Sequence, residues 1–311
     1  MKGIFYSIMA LFLILPAVML TLVYMDTVNI QNDVSTTQIK GRQLASYTDS
    51  ISLDSQRVLR LTVKRAIYSV IQIMDDKCKF LENAKKALTA LSLNGTYNNT
   101  NSSFMANSSI KDWRNTMQIK GEEIGYRSNI TIHDLNISQY DSFNLQAVLN
   151  LSVDLESKSG DTRVDKNTIK KAYISLEGVT EPLFTIKTGC LAIERSINIT
   201  HPPNGTDETD NVMKKGLFIP NPDAPSFFDR IEGSTSRNYT GVTGNIGMES
   251  IVDVGYLDSL GIDVSGYEQI THIDYEYFSF NPALGHAVNN SNYGYFRLDT
   301  EHANKYNITL Q

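Results

Sequence analysis

The first apolar run is the longest in the chain. From Ile4 to Met25 the sequence IFYSIMALFLILPAVMLTLVYM holds 22 residues and no charge. A helix of that length spans about 33 Å, enough for a hydrocarbon core of about 30 Å. Pro16 lies mid-span, where neighbouring groups in lipid satisfy the freed carbonyl. Tyr6 and Tyr24 stand near the two ends, as interfacial rings do. Residues 1–25 therefore read as an N-terminal transmembrane anchor. A cleaved secretory signal is the rival: its core is about 7–15 residues and ends at an A-x-A-like site. Here the core is longer and continues into Thr-Leu-Val-Tyr-Met-Asp, which favours an uncleaved anchor. A cut between Gly3 and Ile4, leaving the helix whole, is a third option. Lys2 precedes the span, Asp26 and Asp33 follow it, and the next cation is Lys40. The positive-inside rule then puts the N-terminus in the cytoplasm and the ectodomain outside a single-pass cell membrane.

A helical stalk region is expected over 26–125. The first helix continues outward to about Gln38, before Gly41. Over 50–76, Leu59, Val63, Ile67, Val70, Ile71 and Met74 recur at three- and four-residue spacing and form one stripe. Arg57, Arg60, Lys64 and Arg65 lie off it, as a solvated face or a membrane-surface contact. A second helix is predicted over 79–92, a polar loop over 93–109, and a third helix from Ser109 to Ile124. Ser109 caps that helix with Asp112 three residues on, and Gly125 stops it.

The period then changes from 3.6 to 2, which predicts an antiparallel β region over 126–215. Phe143, Leu145, Ala147, Leu149, Leu151, Val153 and Leu155 alternate with mostly polar residues, as a half-buried strand does. Ile130, Ile132, Leu135 and Ile137 predict an earlier strand with a bulge or break near Asp134. Ala172, Ile174 and Leu176 mark another. Leu191, Ile193, Ile197 and Ile199 mark one or two more. Residues 200–216 read as a loop. The region 216–311 is mixed: an extended or turning stretch at 220–225, a loop at 232–245, a short helix over 248–260 and a strand from Glu268 to Phe280. The fold class is α+β, with an antiparallel sheet packed on helices.

Twelve Asn-x-Ser/Thr sequons stand at Asn94, Asn98, Asn101, Asn107, Asn129, Asn136, Asn150, Asn198, Asn204, Asn238, Asn289 and Asn307. Random placement of 26 Asn and 53 Ser or Thr gives about four. The excess, all C-terminal to the apolar span, predicts a glycoprotein ectodomain. Several sites have an apolar middle residue. On a strand that arrangement points Asn and Ser/Thr outward together and the middle residue inward.

A net charge of −6 and a pI of about 5.4 argue against nucleic acid as a partner. Only two cysteines occur, Cys78 and Cys190. Outside the cell they are candidates for a disulfide tying a helix to a strand, with two buried thiols as the alternative.

Catalytic motifs are absent: no H-E-x-x-H, no G-x-S-x-G, no Walker loop, and no G-x-G-x-x-G after a strand. GVTGNIG at 241–247 reads as turns. His272 and Asp274 are close in sequence, and Asp299, Glu301 and His302 could join them at a metal, but polar surface positions are the better account of all five. No cofactor and no enzymatic activity are expected. The tyrosine-rich patches YEYF (275–278) and YGYF (293–296) are candidate contact surfaces or ordinary packing.

Lys2-Gly3 followed by the uncharged helix resembles type IV pilin-like proteins, which a peptidase cuts after a basic-Gly pair. The stretches RVLRLTVKRAIYSV (57–70), DSFNLQAVLNLSVDL (141–155), SLEGVTEPLF (175–184), PSFFDRIEG (225–233) and GMESIV (247–252) resemble a group of archaeal membrane-anchored envelope proteins with pilin-like N-termini. The chain departs from the pilin pattern at Ile8, where a glutamate is usual, and in a leader of only three residues. The resemblance implies a minor pilin-like or structural and adhesive surface protein whose partners are the membrane and other envelope or pilus-like subunits. An extracytoplasmic ligand-binding or hydrolytic domain tethered to the membrane is the alternative.

Overall fold

The computed structural model describes residues 2–191, 195–236, 246–266 and 269–311, excluding the side chains of residues 2–15 and 29–36. The described chain is α+β. It forms two compact units, one from residues 1–53, 116–131 and 152–168, the other from 54–115, 132–151 and 169–311.

Helix α1 runs unbroken from Lys2 to Lys77. The expected stop near Gln38 does not occur. One glycine inside a helix costs about 1 kcal/mol. Burial of the neighbouring Leu44 and Ile51, at about 1.5–3 kcal/mol each, outweighs it. Among the described residues no helix is long and apolar enough to cross a membrane. Much of Ile4–Met25 lies outside the described side chains. Its described part, Pro16–Met25, is exposed at every position.

In the first unit the Tyr47 hydroxyl donates to the Met117 carbonyl at 2.9 Å, and its ring stacks on Tyr126. In the second, the predicted stripe of α1 is buried at Leu59, Val63, Ile67, Val70, Ile71 and Met74. Gln56 and Lys64 of the same helix donate to the carbonyls of Lys171 and Ser175. Lys64 is therefore a structural tie rather than a solvated charge, and partial burial lowers its pKa.

Helix α2 (Ala84–Asn94) begins later than its apolar face suggests. Leu81 first donates to the Ile231 carbonyl, and the Asn83 side chain then caps the helix at the Lys86 amide. The loop beyond contains a two-residue hairpin, β1 (Thr96–Tyr97) with β2 (Thr100–Asn101). Helix α3 (Ile110–Glu123) has the expected cap: Ser109 Oγ accepts from the Asp112 amide and Asp112 Oδ2 from the Ser109 amide. Gly125 follows in the left-handed region.

Strands β3 (Tyr126–Asp141), β4 (Asn144–Ser157) and β5 (Arg163–Ser175) form one sheet in the order β3-β4-β5. Connections of two and five residues require antiparallel neighbours. Burial alternates without fault along β4. Along β3 the inward phase runs through Ile130 and resumes, shifted, at Leu135, Ile137 and Gln139. That slip sits at the bulge expected near Asp134, within one strand rather than between two.

Beyond the sheet the elements are short: α4 (Pro182–Lys187), α5 (Thr206–Lys215), β6 (Phe218–Pro220), α6 (Phe227–Ile231), β7 (Met248–Ser250), α7 (Val254–Ser259), α8 (Asp274–Tyr277), β8 (His286–Ala287), β9 (Arg297–Leu298) and α9 (Thr300–Lys305). β6 pairs antiparallel with β7, and β8 with β9. Several expectations are corrected here. Ile197 and Ile199 lie in no strand of their own, and only isolated bridges form, at Ser196 and Ile199; Ile193 is outside the described residues. The supposed loop 200–216 holds α5, closed by left-handed Gly216. The segment 248–260 holds the expected short helix only over Val254–Ser259, after opening as strand β7. The supposed strand to Phe280 is a helical turn, with Glu268 outside the described residues. These pieces are too short to show a period. Their polar residues are used as caps instead: Glu181 on α4, Ser226 and Asp229 on α6, Asp253 on α7 and Asp299 on α9.

Candidate functional sites

The sequons lie where a glycan has room. Nine of the twelve asparagines are exposed, Asn150 and Asn289 are half-buried, and Asn238 is outside the described residues. On the sheet, Asn129, Asn136 and Asn150 each face outward beside a buried Ile130, Ile137 or Leu151. Asn307 repeats this arrangement around Ile308. Asn198 does not, because Ile199 is itself exposed.

Cys78 and Cys190 are bonded, with Cα atoms 6.0 Å apart and a sequence separation of 112. Cys78 follows the end of α1 and Cys190 the end of α4, so the bridge joins two helix ends rather than a helix and a strand.

The polar residues of the C-terminal region gather into two buried ionic clusters. Arg230, on α6, is fully buried. Its Nη1 meets Glu181 Oε1 at 3.1 Å and Asp274 Oδ2 at 3.0 Å, and its Nη2 donates to the Met248 carbonyl. Ser250 Oγ donates to the same Asp274 oxygen at 2.7 Å. Glu181 also accepts the Leu183 and Phe184 amides at the start of α4. Burial opposes the Arg230 charge, but Asp274 and Glu181 outweigh it and hold the pKa above the ordinary arginine value.

The second cluster surrounds Glu249, also fully buried. Its Oε1 accepts from Lys305 Nζ and the Tyr306 hydroxyl, each at 2.5 Å. Its Oε2 accepts from Asn221 Nδ2 at 2.5 Å and His302 Nε2 at 3.1 Å. His302 Nδ1 lies 2.8 Å from Asp299 Oδ2. Burial works against the imidazolium, yet Asp299 and Glu249 raise its pKa to about 9. Against its own desolvation, Asp299 is lowered to about 2, mainly by His302. Two carboxylates and two cations thus neutralise one another.

The five residues considered for a metal do not converge. Asp274 serves Arg230, Asp299 and His302 serve Glu249, Glu301 is exposed, and His272 lies apart. No group able to hold a metal occurs among the described residues. The tyrosine-rich patches are mainly core: Tyr275, Tyr277 and Phe296 are buried, and only Tyr295 offers appreciable surface.

Two cavities open in this region. One, of about 390 Å³, is lined by Arg195, Lys214, Lys215, Phe184 and Asp253. Its carboxylate is engaged by Lys214 at 3.5 Å and by the Tyr295 hydroxyl at 2.6 Å. The other, of about 370 Å³, is lined by His272, Tyr295, Arg297, Asp258, Val254 and Val264, among others. Neither cavity nor cluster announces itself by a motif. The available signal was charge set in apolar context, as in FFDRI around Arg230 and GMESIV around Glu249. In comparison with known proteins, no family model, no curated sequence and no solved structure matches the chain.

Proposed function

We propose that this protein is a single-span glycoprotein of the cell surface, minor pilin-like, with a structural or adhesive role. One observation carries the reading: the described part of the apolar segment of α1, Pro16–Met25, is uncovered at every position. Val18, Met19, Leu20, Leu22, Val23, Tyr24 and Met25 are 51–71 % exposed, while farther along the same helix Leu59, Val63 and Ile67 are fully buried. A contiguous apolar surface of that kind marks an interaction with lipid or with another apolar helix. Lipid takes up all faces at once; a neighbouring subunit takes up one. Accessible sequons and a disulfide agree with an extracellular setting.

In this reading residues 4–25 hold the protein in the membrane with the N-terminus inside, and the same segment is the surface through which pilus-like or envelope subunits associate. The test is carbonate extraction of native membranes, followed by glycopeptide and N-terminal mass spectrometry. The chain is expected to stay with the membrane and to carry glycans at several sequons, with Ile4 or Met1 at its start. Release into the wash, or bare sequons throughout, overturns the reading. Ile4 as the N-terminus adds processing by a pilin-type peptidase.

A further inference from the structure

The cavity beside His272 has the makings of a binding site. His272 is 2 % exposed, yet its Nδ1 has no hydrogen-bond partner. A buried polar atom left unpaired costs about 1–3 kcal/mol, and the ring that carries it lines this cavity. Burial, with Arg297 nearby, lowers the His272 pKa to about 3. The ring is therefore neutral and offers one donor and one acceptor. The His272 amide donates to the Arg297 carbonyl at 3.0 Å, which keeps the two residues side by side. The Arg297 guanidinium makes no ion pair among the described residues. Asp258, on the exposed side of α7, supplies the opposite charge to the same cavity. Tyr295 has its hydroxyl committed to Asp253, so its ring serves as a wall. Gly255 permits this, since a Cβ there would fall 2.8 Å from that ring. Val254 and Val264 complete the lining with apolar surface.

One unpaired cation, one carboxylate, an unsatisfied neutral imidazole and two valines in about 370 Å³ match a small molecule charged at both ends with an apolar branch. We propose that this cavity binds a small zwitterion of the α-amino-acid class, its carboxylate on Arg297 and His272, its ammonium on Asp258, and its side chain against Val254 and Val264. The site does not depend on how the chain is anchored.

L-Leucine is the probe, as radiolabelled ligand in equilibrium binding to the full chain in lipid nanodiscs. Two competitors each lack one charge: 4-methylpentanoate has no ammonium and 3-methylbutylamine no carboxylate. Saturable leucine binding is expected, with each competitor weaker by about tenfold or more, as loss of one charged hydrogen bond implies. Arg297→Gln is expected to weaken leucine by about tenfold or more, with partial recovery in Arg297→Lys. Asp258→Asn, at an exposed position that leaves the fold intact, is expected to weaken it about threefold to tenfold. Absence of saturable binding up to about 10 mM overturns the proposal. So does a singly charged competitor that matches leucine, or an Asp258→Asn protein that binds as the parent does.

Discussion

The region from Asp54 to Leu176 and the region from Glu181 onward are held together by different means. The first buries Leu59, Val63, Ile67, Val70 and Met74 from α1, and Leu145, Ala147, Leu149, Leu151, Val153 and Leu155 from β4. Its buried polar groups are hydroxyls and one amide, with no charge among them. From Glu181 onward the buried set includes Glu181, Arg230, Glu249, Asp253, Asp274 and Asp299. Long elements bury one regular face and leave the other to water. Short elements present chain ends to the interior, and those ends need donors and acceptors. Charged side chains meet that need, and each then has to be neutralised by another. The contrast predicts that the first region fails by cavity formation and the second by loss of charge balance.

The largest effect is expected where the contrast is sharpest. Arg230→Met leaves Glu181 and Asp274 buried without their cation and should destabilise the domain by about 3–5 kcal/mol. Denaturant titration followed by circular dichroism measures it. The triple replacement of Arg230, Glu181 and Asp274 by apolar residues should recover much of that loss; no recovery would mean the cluster does more than balance charge. Leu149→Ala, in the apolar region, is expected to cost about 3 kcal/mol through its cavity, with no dependence on pH between 6 and 9.

The pH response tests the second region alone. The folded pKa of His302 is raised to about 9 from the ordinary 6.5. Its contribution is therefore complete below pH 6.5, declines as pH rises from there, and is lost above about pH 9. The native state binds the extra proton throughout that window. Stability should fall by about 3 kcal/mol across it, and His302→Gln should flatten the profile. A parent profile already flat between pH 6.5 and 9 would break the charge-balance account. Asp299 acts at the other end: its folded pKa of about 2 means its contribution is present above pH 3.8 and lost as pH falls toward 2.

The smallest effect belongs to a single polar tie between α3 and α1. Trp113 Nε1 donates to Asp54 Oδ2 at 2.8 Å. Trp113→Phe keeps most of the ring and removes that bond, for an expected loss of about 1 kcal/mol by thermal melting.

What could be read directly from residue order follows the same division. The α1 stripe, the cap at Ser109 and Asp112, the β4 alternation and the phase slip near Asp134 were all legible, because each depends on neighbours within one element. A side chain two or four positions away is enough to specify a face. The accessible placement of Asn129, Asn136 and Asn150 follows from that same alternation.

The remainder was decided only in three dimensions. Nothing local separates the end of a helix at Gln38 from its continuation to Lys77; that depends on what covers Leu44 and Ile51. Glu181, Arg230 and Asp274 lie 49 and 44 residues apart in sequence, and Glu249 finds His302 at a separation of 53. Partners so distant leave no period and no spacing behind. Residue order by itself determined which faces of the long elements are apolar. Only the tertiary structure decided which buried charges neutralise one another, because a charge taken out of water is stabilised by whatever the fold brings within about 3 Å of it.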